Sequence, residues 1–121
     1  MSGNAPWHAH VYFTDGDRAE ALALRESFRS DPAIRFTGQM APGPIGPHPI
    51  PQFEVHFLAT ARGAVIARIE ASGLRALVHP LTDDDIADHT SLGQWIGEPL
   101  ELDLSVLDPP GINQGGARFG V

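Results

Sequence analysis

The chain has 121 residues, 15 of them acidic against 8 basic, a formal net charge of -7 and no cysteine. That length holds one domain with one core and no separate cofactor domain. The charge speaks against nucleic-acid binding, which needs clustered Lys and Arg, and the missing thiols exclude disulfides, thiolate nucleophiles and Cys-ligated zinc.

All eight basic residues are arginine, which also excludes lysine Schiff-base chemistry. His, Asp and Glu are left as the strong candidate metal ligands. No basic segment is followed by an apolar run, and no stretch approaches a membrane span, so the expectation is a soluble, cytoplasmic protein without a membrane partner. A single domain is expected over 1–121, with an ordered core at about 7–108 and a loose tail at 109–121.

In "WHAHVYF", residues 7 to 13, His8, His10 and Tyr12 alternate with Ala9, Val11 and Phe13. Side chains two apart share a face of a strand, so one face is apolar and the other carries two imidazoles about 6.6 Å apart at Cα. "TDGD" then supplies a turn, and Asp17 is expected to cap a helix starting near Arg18. Ala21, Leu24 and Phe28 follow at helical spacing, Asp31-Pro32 ends the run, and "IRFTG" at 34–38 reads as a second strand.

"MAPGPIGPHPIP" holds five prolines and two glycines in twelve residues and can be neither regular helix nor sheet. It predicts a stiff loop carrying His48. "QFEVHFLA" alternates Phe53, Val55 and Phe57 against Glu54, His56 and Leu58, a third strand. Thr60 is placed to cap a helix with Val65, Ile66 and Ile69 buried, and Gly73 suits its left-handed stop. "LRALVHP" is the fourth strand.

The order β-α-β-β-α-β predicts an α+β, ferredoxin-like domain: an antiparallel sheet in the order 4-1-3-2 with both helices on one face, plus a C-terminal helix and strand. Asp83 to Asp85 suit the positive end of that helix, and "LELDLSVL" at 100–107 reads as the extra strand. Leu58 and Leu77 on the open sheet face, with Leu102 and Leu104 nearby, favour burial in a homodimer.

Topology then gathers the histidines. The fourth strand, antiparallel to the first, brings His79 beside its start. The third strand, expected parallel to the first, brings Glu54 to the same end and leaves His56 one pleat further on. His48 and His89 flank the same end. On this geometry His10, His79 and Glu54 form a metal-binding triad, with His8 a ligand or a partner behind it. His48 and His89 are candidates for proton transfer and substrate holding. Tyr12, His56 and Arg75 line the substrate, Arg75 suiting a carboxylated one. A ring of imidazoles with a carboxylate and no thiolate suits non-haem iron, manganese or zinc, and a spare imidazole can take a proton near neutral pH.

"HAHVYF", "GPHPIPQFEVHF", "LVHPLTDDDIADHT" and "WIGEPLELD", in this order, resemble the DOPA 4,5-dioxygenase family over residues 7 to about 108. The matched histidines are His8, His10, His48, His79 and His89. Asp83-Asp84 stands where a Gly-Asp pair is expected. The resemblance implies extradiol opening of a catechol such as L-DOPA by O2, with Fe(II) as cofactor and Zn or Mn possible in the isolated protein. The competing reading is a non-catalytic metal- or small-molecule-binding dimer on the same fold. A cofactor-free monooxygenase or isomerase would need no histidine ring.

Overall fold

Five strands form in the computed structural model, which describes residues 3–114 and 119–120: β1 (Pro6–Tyr12), β2 (Ile34–Thr37), β3 (Gln52–Leu58), β4 (Arg75–Pro80) and β5 (Gln94–Ile96). They make one sheet in the order β2-β3-β1-β4-β5, the expected 4-1-3-2 arrangement extended by one strand. Helices α1 (Arg18–Arg29) and α2 (Arg62–Ser72) follow β1 and β3, and a short α3 (Asp85–His89) follows β4. The α+β, ferredoxin-like reading therefore holds.

Each strand contributes alternate residues to one core. Ala9, Val11, Phe53, Val55, Phe57, Ala76 and Val78 are fully buried and share that core with Ala21, Leu24 and Phe28 of α1 and Val65 and Ile69 of α2. The helical residues recur at three- and four-residue spacing, which puts them on one stripe. Gly73 ends α2 at φ +79, a backbone conformation without steric cost only for glycine.

The helix starts differ from expectation. The Asp17 carboxylate turns back to accept from the Thr14 N–H and hydroxyl, because a 3-10 turn over Asp15–Asp17 brings that donor nearer than the next helical N–H groups. Thr60 likewise lies inside a 3-10 turn, Ala59–Ala61, and Ala61 occupies the cap position.

Two larger expectations are corrected. First, β3 runs antiparallel to β1, pairing His8 with His56 and His10 with Glu54. The connection through α1 and β2 reverses the chain once more than a parallel neighbour would allow. Second, 100–107 is not a strand. The free edge of β4 is taken by Gln94–Ile96, which pairs Ala76 with Ile96 and Val78 with Gln94. Residues 104–106 instead form a 3-10 turn whose cap Asp103 accepts from Ser105 N–H, while Asp103 N–H donates to Pro47 O.

The second sheet face is covered by the chain itself. Leu77 is fully buried, packed near Gly93, so the argument for a dimer from an open Leu77 does not hold. Residues after Pro109, expected to be loose, are tied down where described: Asn113 Nδ2 donates to Thr82 O and to Asp88 Oδ2, and Gln114 N–H to Asp108 Oδ2. No helix among the described residues is long and apolar enough to cross a membrane.

Phe28 is fully buried between α1 and the sheet, whereas Leu22, on the same helix, is 46% exposed. We expect Phe28→Ala to cost about 3 to 5 kcal/mol and Leu22→Ala to stay within about 0.5 kcal/mol. Urea unfolding midpoints of the two variants check this.

Candidate metal centre

The register of β1 builds the site in rows. His8 lies between His56 of β3 and His79 of β4, His10 between Glu54 and Leu77, and Tyr12 between Gln52 and Arg75. All of these project from the face opposite the helical core, as period-two alternation requires. His48 is added from the proline loop, where Ile45 and His48 exchange both backbone hydrogen bonds around Gly46 at φ +54. His89 is added from the end of α3.

All six histidines of the chain are buried, and their rings touch in series. His8 stacks on His56 at 3.8 Å between centroids, His10 lies 4.0 Å from His48 and 5.0 Å from His79, and His79 lies 4.2 Å from His89. Burial pushes the His8 imidazole down to about 2 and those of His48 and His79 to about 3, and holds His10 well below its ordinary value. Neighbouring imidazoles act in the same direction, since a second positive charge nearby is unfavourable. These four rings are therefore neutral at pH 7, the form that ligates metal.

The outer nitrogens are occupied. His79 Nδ1–H donates to Pro80 O at 2.8 Å, His89 Nδ1–H to Asp85 O at 2.8 Å and His10 Nδ1–H to Gln52 Oε1 at 3.1 Å. Tyr12 Oη–H donates to His48 Nδ1 at 2.7 Å, and burial raises the Tyr12 phenol, which keeps its proton. Neutral imidazole has one hydrogen, so His10 and His79, having placed theirs on Nδ1, present bare Nε2 lone pairs. Those two atoms lie 3.0 Å apart.

Two lone pairs at that distance repel unless a cation lies between them. The separation is the one two nitrogens about 2.1 Å from a shared ion have at roughly a right angle. His8 supplies a third nitrogen: its Nε2 is buried without a partner, and its Nδ1 lies 3.6 Å from Glu54 Oε2. One nitrogen each of His8, His10 and His79 falls within 4.8 Å of the others. The same holds for His10, His48 and His89, and for His8, Glu54 and His56. Pinned outer nitrogens around converging inner ones are what a metal-binding histidine set needs, so the residues present can hold a metal ion.

Two cavities open on this cluster. One of about 310 Å³ is lined by His8, His10, His48, His79 and His89, together with Asp85, Asp108 and Asn113. The other, of about 450 Å³, reaches His8, His10 and His48 past Phe36, Glu54 and His56.

Of the residues singled out from sequence, His8, His10, His48, His79 and His89 come together, and Glu54 and His56 flank them. Tyr12 stands behind His48, stacked on Trp95. Arg75 lies at the far end of β4 from His79, packed on Gly97. Gln52 escaped notice although it shares the face of Glu54 and His56 by alternation. Asp85 stands four residues before His89, a helical pairing spacing, and its Oδ1 lies 3.4 Å from His89 Nδ1; Asp108, whose N–H donates to Asp85 Oδ2, carries no sequence signal linking it to the site.

A sequence model of the Dopa 4,5-dioxygenase family matches residues 7–106. The chain is 34% identical over 113 residues to a DOPA 4,5-dioxygenase of Amanita muscaria, covering 84% of this chain and 49% of that protein. It is 36% identical over 112 residues to an uncharacterised 21.2 kDa protein of Botryotinia fuckeliana, covering 81% and 61%. The chain thus spans about half the length of the first curated relative and about three fifths of the second. Among solved structures it is similar to a candidate dioxygenase of Nostoc punctiforme PCC 73102, with a TM-score of 0.78, 34% identity, and coverage of 86% of this chain and 91% of that one.

The depressed histidines fix a pH dependence. Below about pH 6.5 the unfolded chain takes up protons that the folded chain refuses, so stability falls as pH drops from there towards about 3. Metal-free protein should lose stability progressively over that range, and His79→Gln should make the loss shallower. Urea unfolding free energies between pH 7 and pH 5 read both; a flat profile contradicts the expectation.

Proposed function

The chain belongs to the Dopa 4,5-dioxygenase family, and from that membership we propose that it is an extradiol dioxygenase which opens a catechol such as L-DOPA with O2 at a non-haem metal site. The observation that carries this reading is the 3.0 Å approach of His10 Nε2 to His79 Nε2, two atoms with their outer protons already committed. His8, His10 and His79 would hold the ion. Glu54, which the sequence reading put in the triad, serves here as the acceptor that orients His8, since its carboxylate faces His8 Nδ1 and His56 Nε2.

Ferrous iron, when bound, supplies the electronic coupling between a catechol and O2 that neither has with the other alone; zinc or manganese would fit the same nitrogens in isolated protein. The chain's own groups manage the protons. His48, whose Nδ1 already accepts from Tyr12, carries its hydrogen on Nε2 and can give it. His89 donates through Nδ1, which leaves its other nitrogen able to accept one from a catechol hydroxyl. The cavity of about 310 Å³ takes the ring. His56 and Tyr12 act from behind the site, on Glu54 and His48 respectively. Arg75, at the other end of its strand, is left without a direct substrate contact in this scheme.

The test is oxygen consumption by anaerobically iron-loaded protein given L-DOPA, caffeate and protocatechuate in turn, with absorbance recorded in parallel. We expect uptake coupled to a yellow product, and at least a 100-fold loss of kcat/KM in His10→Ala and His79→Ala. No uptake by fully iron-occupied protein with any catechol would instead favour a binding role.

A further inference from the structure

His56, like His48, is wired in the opposite sense to His10, His79 and His89. Its Nδ1 accepts, from the Gly120 N–H at 2.9 Å. A neutral imidazole that accepts at Nδ1 holds its hydrogen on Nε2, and His56 Nε2 lies 3.1 Å from Glu54 Oε2. The same carboxylate oxygen lies 3.6 Å from His8 Nδ1. The carboxylate therefore accepts from His56 and attracts the His8 Nδ1–H at ion-pair range, so each imidazole is drawn to put its hydrogen on the side facing Glu54. For His8 that leaves Nε2 bare, and this is the atom found buried without a partner.

Phe119 flanks both rings. Its ring lies 5.6 Å from His56 at 14° and 6.4 Å from His8 at 15°, beside the His8–His56 stack and nearly parallel to it, the stack itself being tilted by only 11°. Were His56 in its other tautomer, a lone pair on Nε2 would face the Glu54 carboxylate and the Gly120 N–H would meet another N–H. Both contacts would be repulsive. Gly120 sits at φ +81, so a residue with a Cβ would be strained there and its N–H would be re-aimed.

We infer that Phe119 and Gly120 are positioning residues for the metal-holding nitrogen of His8, acting through His56 and Glu54. Both lie beyond the stretch matched to the family, residues 7–106. The inference rests on the assignment of His8 as a ligand, but its first readout does not.

That readout is two-bond proton–nitrogen correlation NMR of the imidazoles in full-length, metal-free protein. His56 should read as the Nε2–H form and His8 as the Nδ1–H form. In Phe119→Ala and in Gly120→Ala both should move towards averaged tautomers, while Phe119→Tyr keeps them. Zinc affinity, measured by chelator competition, should fall about 10- to 100-fold in the two alanine variants and be retained in Phe119→Tyr. Wild-type His56 in the Nδ1–H form would overturn the inference, as would alanine variants that leave both tautomers and zinc affinity unchanged. If wild-type protein binds no zinc, the metal reading fails while the tautomers still decide the positioning role.

Discussion

The site depends on the register of β1 against its two neighbours. A strand has period two, so a slip of one residue would turn His8, His10 and Tyr12 into the core and Ala9 and Val11 out of it. Ala9, Val11, Phe53, Val55, Phe57, Ala76 and Val78 are all fully buried, and the apolar area they remove from water would be forfeited in such a slip. The alignment of His56, His8 and His79 in one row is thus enforced from the opposite side of the sheet, by residues that never touch the imidazoles. Core and site are two faces of one hydrogen-bonded ladder.

The imidazoles themselves oppose folding. Burial and neighbouring rings keep His8, His10, His48 and His79 from taking up protons as they would in water, and the Nε2 atoms of His10 and His79 face one another. What makes the arrangement tolerable is the set of oxygens behind them: Gln52, Pro80 and Asp85 each fix one Nδ1 hydrogen. These contacts hold the inner nitrogens to a common point at the expense of local stability, as expected where a constellation is retained for binding rather than for packing.

Much of this was legible in the sequence. Alternation located β1, β3 and β4, helical spacing located α1 and α2, and the order of elements gave the sheet. The five clustered histidines followed from strand faces and loop positions. The direction of β3 was misjudged, and that single error exchanged the places of Glu54 and His56 relative to His8. The edge strand was misplaced because "LELDLSVL" alternates more cleanly than "QWI"; alternation reports a preference for a half-buried extended chain but not which segment reaches the free edge first. Residues 113, 114, 119 and 120 contribute through one side-chain amide that donates twice, backbone N–H groups and one ring, and none of these leaves a periodic mark.

The proline loop has a consequence for recognition. Pro42, Pro44, Pro47, Pro49 and Pro51 restrict the chain before it folds as well as after, so holding His48 in place removes less conformational freedom than an ordinary twelve-residue loop would lose. A guest entering the cavity beside it meets a wall already in its bound shape. Fit on that side is then set by rejection, since a guest that does not match the space beside His48 finds little give in the backbone, whereas Asp85, Asp108 and Asn113, which also line the cavity, lie outside the proline loop.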